Sequence, residues 1–230
     1  MMSKDDNEHQ GRILVFDLDG TLIDTMGPLL QIACDVLAEQ RGIDPNLSRE
    51  ICLSFMGVSV GTQFREVLLQ AGRAPDRVED LTKVYYQRSE VVVAKAFPEV
   101  VEVLTDLRSA GHLMAVSSGG KPALVSRRTA EAGIDGFFRL ILGSEEGNPD
   151  KAKGPGHFRL ISETLGLTAA QLRSEGVFIG DGVYDMQVAR EAGMLAVGRV
   201  TDGNDETLRL AGAHYLVHDL REMHALLAAL

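Results

Sequence analysis

Ile13-Leu14-Val15-Phe16-Asp17-Leu18-Asp19-Gly20-Thr21-Leu22-Ile23 opens with four consecutive apolar residues, then places two carboxylates two positions apart ahead of a glycine. The apolar run reads as a short strand buried on both faces, and Gly20 supplies the turn that ends it. In extended backbone alternate side chains share a face, so Asp17 and Asp19 can address one reacting centre. Two acids at the end of a buried strand are costly unless a metal or a phosphoryl group uses them. An isolated pair of this kind also occurs as a turn former or helix cap. The remaining motifs weigh against that plainer reading.

Downstream, from about Gly27 to Ala94, apolar residues recur at helical spacing, with breaks near 42–46, 57–61 and 72–76. Asp24 is placed to cap the first of these helices. From Ala96 onward the pattern alternates: helix over 99–110, strand over 113–116, helix over 122–133, strand over 138–142, helix over 156–165, strand over 177–179, helix over 184–192, and strands over 195–197 and 214–217. Such alternation predicts a doubly wound parallel sheet of α/β class, and the first strand must join it because it is too short to fold alone. The expected division is an α/β core from residues 11–24 and 96–230, an inserted all-helical unit over 25–95, and a disordered N-terminus over 1–10.

The chain has 230 residues, 45% hydrophobic and 24% charged, an ordinary globular composition. No apolar run approaches the ~20 residues that span a bilayer, and Met1–Gly11 is polar, so a cytoplasmic location without membrane contact is expected. A net charge of −10 opposes binding to nucleic acid. Cys34 and Cys52 lie in apolar helical patterns and read as buried thiols.

Open α/β sheets bind ligands beyond the carboxyl ends of their strands. Those ends carry Asp17 and Asp19; Ser117 and Ser118; Lys151 and Lys153 after the third strand; and Asp181 and Asp185 in Gly180-Asp181-Gly182-Val183-Tyr184-Asp185. Acids, hydroxyls and a lysine together suit phosphoryl transfer, where a cation and a lysine offset the charge of a phosphate dianion. Oxygen ligands from Asp181 and Asp185 suit Mg2+ rather than zinc. Ser117, with Ser118 as second choice, can donate to a phosphoryl oxygen, while N–H groups from Leu18 to Thr21, with Gly20 among them, form an anion-binding turn. Lys153 is preferred over Lys151 because it adjoins the turn into the next helix. His157 reads as an exposed loop side chain.

Asp-Leu-Asp-Gly-Thr-Leu-Ile-Asp-Thr at 17–25, the run ending in Ser117, the lysines at 151 and 153, and Gly180–Met194 together resemble the haloacid dehalogenase superfamily, specifically its phosphatase branch with a helical cap inserted after the first motif. The resemblance spans nearly the whole chain. It departs at the third motif, where relatives show lysine followed by proline and this chain reads Lys151-Ala152-Lys153-Gly154-Pro155. It implies that Asp17 is a nucleophile forming an aspartyl-phosphate and Asp19 the acid and base. It also implies Mg2+ held by Asp17, the Asp19 carbonyl and Asp181, with Asp185 as a ligand or an outer acceptor. The expected substrate is a small phosphorylated metabolite, such as a sugar phosphate or phosphoglycolate. A phosphosugar mutase shares these motifs and is the alternative, and a non-catalytic metabolite-binding protein is a further one. Substrate choice is expected to lie in the insert, at Ser59, Thr62, Gln63 and Arg65.

Overall fold

The computed structural model describes residues 11–201 and 203–230. The expectation for residues 1–10 lies outside the described residues. Six parallel strands form one sheet in the order β3-β2-β1-β4-β5-β6. They are β1 (Ile13–Phe16), β2 (Leu113–Ser117), β3 (Leu140–Leu142), β4 (Gly176–Gly180), β5 (Leu195–Arg199) and β6 (Tyr215–Val217). The chain winds outward in both directions from the central pair of β1 and β4, which makes the gap beyond their carboxyl ends the topological switch point. Register aligns those ends: Phe16 faces Val116 on one side and Ile179 on the other.

The helices follow from where the apolar stripes must go. Leu14, Phe16, Val116 and Ile179 share a core with α5 (Val100–Ser109), α6 (Pro122–Glu131) and α11 (Glu222–Ala228). Ile13, Val15, Ala115 and Phe178 point to the opposite face, covered by α7 (Pro155–Leu165), α8 (Ala169–Glu175), α9 (Val183–Glu191) and α10 (Asp205–Leu210). Both faces of the central strands are therefore dry, as an apolar run without alternation requires. The short helices α8, α10 and α11, of 7, 6 and 7 residues, were not expected, because two turns or fewer display too little periodicity to be read.

Between β1 and α5 run α1 (Met26–Arg41), α2 (Pro45–Ser54), α3 (Val60–Gln70) and α4 (Val78–Ser89). They enclose a cluster of their own, with Leu37, Cys52, Phe64 and Leu81 at its centre. Cys34 and Cys52 are buried free thiols there, and burial pushes Cys52 up to about 12. Asp44 caps α2 by accepting from the Asn46 and Leu47 N–H groups. Asp24 does not cap α1. Thr25 occupies the cap position, and its hydroxyl is used elsewhere. The two connections between the helical unit and the sheet lie side by side: Asp24 N–H donates to the Lys95 carbonyl at 2.9 Å and Phe97 N–H to the Leu22 carbonyl at 3.1 Å.

Candidate active site

Asp17 leaves β1 with its N–H donated to the Ile179 carbonyl at 2.8 Å, which holds it level with the end of β4. Asp181 and Asp185 come from the turn between β4 and α9. Ligand oxygens of Asp17, Asp181 and Asp185 lie within 4.8 Å of one another. Lys153, 3% exposed, reaches in from the start of α7 and places its Nζ 2.5 Å from both Asp17 and Asp185. Burial alone would push this amine down, but the two carboxylates reverse the sign and raise it, so it stays cationic. Burial pushes the Asp17 carboxyl up, against the pull of Lys153. Lys151 instead pairs with Glu145 at the surface, Nζ to Oε1 at 2.8 Å. Only Lys153 reaches the acids, because Gly154 turns the chain with φ of 97° and α7 starts at once.

Asp181 receives the Thr21 hydroxyl on Oδ1 at 3.0 Å, while its Oδ2 is buried with no hydrogen-bond partner among the described residues. Burial, with Asp185 beside it, pushes Asp181 up to about 7. A buried carboxylate oxygen without a donor is costly, and a cation bound by oxygen removes that cost. The three acids therefore fit Mg2+. Asp19 is held differently: its Oδ1 accepts from the Thr25 hydroxyl at 2.6 Å and from Arg128 Nη1 at 3.1 Å.

The first turn corrects the expectation for Gly20 and Thr21. Gly20 N–H donates to the Ile23 carbonyl at 2.8 Å and Thr21 N–H to the Leu18 carbonyl at 3.3 Å, so both close the turn rather than face an anion. Gly20 has φ of 85°, and a Cβ there would stand 2.2 Å from Asp181 Oδ2. The Arg199 guanidinium, paired with Glu99 at 2.6 Å, donates to the Thr21 carbonyl at 2.5 Å and braces the turn.

His157 is also corrected. It is fully buried, with Nδ1 2.8 Å from Ser117 Oγ and Nε2 3.2 Å from the Gly143 carbonyl. Ser117 therefore points at an imidazole. Ser118 lines the cavity beside Asp17, its Oγ accepting from Gly120 N–H at 3.1 Å. A cavity of about 90 Å³ lies between Asp17, Asp19 and Ser118 on one side and Met26, Leu30, Met56 and Tyr85 of the helical unit on the other.

Of the residues expected to choose the substrate, Gln63 lines this cavity, its side chain donating to the Val58 carbonyl at 3.2 Å. Ser59 and Thr62 line a neighbouring cleft with Lys153, and Ser59 caps α3. Arg65 is exposed and lines neither. Tyr85, Tyr86 and Arg128 border the cavity and were not anticipated. Arg128 carries a signal: it occupies a core-face position of α6 three residues after Val125, where an apolar residue belongs.

Residues 14–198 match the family model for haloacid dehalogenase-like hydrolases. A phosphoglycolate phosphatase of Neisseria meningitidis is 31% identical over 202 residues, covering 85% of this chain and 83% of its own. A haloacid dehalogenase-like hydrolase from Streptococcus pneumoniae superposes with TM-score 0.74 at 21% identity, over 94% of this chain and 97% of its own. A candidate beta-phosphoglucomutase from Bacteroides vulgatus gives 0.75 at 19%, over 94% and 87%. At those identities the two structures speak for the fold alone. With a family match over most of its length and a relative above 30% identity, the chain belongs to the haloacid dehalogenase-like hydrolases, as an enzyme of their phosphatase branch.

Proposed function

We propose that this enzyme hydrolyses small phosphate monoesters of the phosphoglycolate type, with Mg2+ and through an aspartyl-phosphate on Asp17. The observation that carries the reading is the buried cluster in which one lysine bridges Asp17 and Asp185 while Asp181 keeps an oxygen without a donor. Asp17, Asp181 and Asp185 would hold the cation, which supplies charge neutralisation for an incoming phosphate dianion. An Asp17 oxygen attacks phosphorus, the ester P–O bond breaks, and its electron pair leaves on the alcohol oxygen, which takes a proton from Asp19. Asp19 then removes a proton from water as that water displaces phosphate from Asp17. Lys153 screens the negative charge throughout.

The helical unit over 25–95 serves in this reading as a cap closed over the organic part of the substrate. The cavity of about 90 Å³ lies beneath it, against the acids. The sequence relatives described as phosphoglycolate phosphatases favour a two-carbon acid over a hexose phosphate.

The test is phosphate release from phosphoglycolate, hexose phosphates and p-nitrophenyl phosphate, with Mg2+ or with chelator, by wild type and Asp17→Asn. Expected is Mg2+-dependent turnover, best with the smallest acid and lowered at least about a thousandfold by the substitution. Turnover that survives either chelation or Asp17→Asn would overturn the mechanism.

A further inference from the structure

Arg128 is buried to 3% exposure on the inner side of α6, where Val125 and Thr129 also face inward. Burying a guanidinium costs several kcal/mol unless its donors are used. Two of them are. Nη1 donates to Asp19 Oδ1 at 3.1 Å and Nη2 to the carbonyl of Ser89, the last residue of α4, at 3.3 Å. The two acids of the first motif thus have separate cations: Lys153 stands on Asp17, and Arg128 on Asp19.

Asp19 Oδ1 also accepts the Thr25 hydroxyl at 2.6 Å. A carboxyl oxygen offers two lone pairs, and both of those on Oδ1 are taken by these donors, which leaves Oδ2 as the oxygen to exchange a proton. The donors on Oδ1 come from where the chain enters the helical unit, at Thr25, and from an arginine that also grips the end of α4, at Ser89.

We propose that Arg128 is a positioning residue for Asp19. It holds the carboxyl by Oδ1, leaving Oδ2 for proton exchange with the leaving oxygen, and it ties that orientation to the seating of α4. The inference rests on the hydrolase reading above and adds a residue to it.

Leaving groups provide the test. An alkyl alcohol departs only with a proton, whereas p-nitrophenolate departs without one, so kcat/KM for phosphoglycolate and for p-nitrophenyl phosphate separate acid catalysis from everything else. Asp19→Asn sets the scale, lowering the alkyl substrate far more than the aryl one. Arg128→Met keeps the length and apolar stem but removes every donor. It should lower the alkyl-to-aryl ratio of kcat/KM by about tenfold or more. Arg128→Gln, which retains one amide donor group, carries the same comparison should the methionine variant fail to fold. An equal loss on both substrates, or none, overturns the positioning role, since damaged packing does not distinguish leaving groups. If wild type releases phosphate from neither compound, or Asp19→Asn fails to discriminate, the hydrolase reading itself is wrong and the proposal falls with it.

Discussion

The two nitrogens of the His157 ring establish which way the Ser117 hydroxyl points. The Gly143 carbonyl beside Nε2 can only accept, so Nε2 carries the hydrogen, and Nδ1 offers a lone pair to which the Ser117 hydroxyl donates. The serine proton expected to reach a phosphoryl oxygen is committed to histidine, leaving Ser118 as the hydroxyl at the cavity. Burial pushes His157 down to about 4 from the usual 6.5. Between those values the unfolded chain binds a proton that the folded chain refuses, so this contribution to stability is complete above about pH 6.5 and is lost as pH falls toward 4. Stability from denaturant unfolding should therefore drop by about 2 kcal/mol more between pH 7 and pH 5 in wild type than in His157→Gln. Equal slopes in the two proteins would place the imidazole in water.

Among elements, the contact that shapes the cavity is between the loop preceding α3 and the strand ends. Tyr184 N–H donates to the Met56 carbonyl at 3.3 Å, and a Cβ on Gly119 would stand 2.8 Å from the Gly57 carbonyl oxygen and 2.9 Å from that of Val58. These neighbours are backbone and cannot swing aside. Gly119→Ala should hold the helical unit away from the sheet and lower kcat/KM roughly ten- to a hundredfold, because a misplacement of about 1 Å costs that much. Its melting temperature should stay close to wild type, since Gly119 lies beyond β2 and outside the hydrophobic clusters. Unchanged kinetics would mean that the loop does not seat on Gly119 during turnover.

At the scale of the molecule, the switch point between β1 and β4 collects acids from opposite ends of the chain, Asp17 from the first strand and Asp181 from the fourth. Their mutual repulsion and burial oppose folding, and a bound divalent cation offsets both. Millimolar Mg2+ should raise the melting temperature by several degrees, by the mass action of a ligand that binds only the folded chain. Asp181→Asn should largely abolish that shift while leaving a folded protein. A shift of the same size in the variant would remove Asp181 from the metal site. Among the described residues no helix is long and apolar enough to cross a membrane.

The amino-acid sequence by itself determined the parallel α/β sheet, the helical insert and the order of acids, hydroxyls and lysine at the strand ends, because these follow from periodicity and turn chemistry within a dozen residues. Its helix breaks near 42–46 and 57–61 overlap the junctions before α2 and α3, each running two residues into the helix that follows, and the one near 72–76 falls between α3 and α4. Partners remote in the chain were beyond it. That His157 is buried on Ser117, that Thr21 serves Asp181 and that Arg128 serves Asp19 depend on separations of 40, 160 and 109 residues, whereas the preference for Lys153 over Lys151 comes from its place beside the turn into α7. A side chain's local pattern says which face it occupies, and only the packing of one face against another says what it meets there.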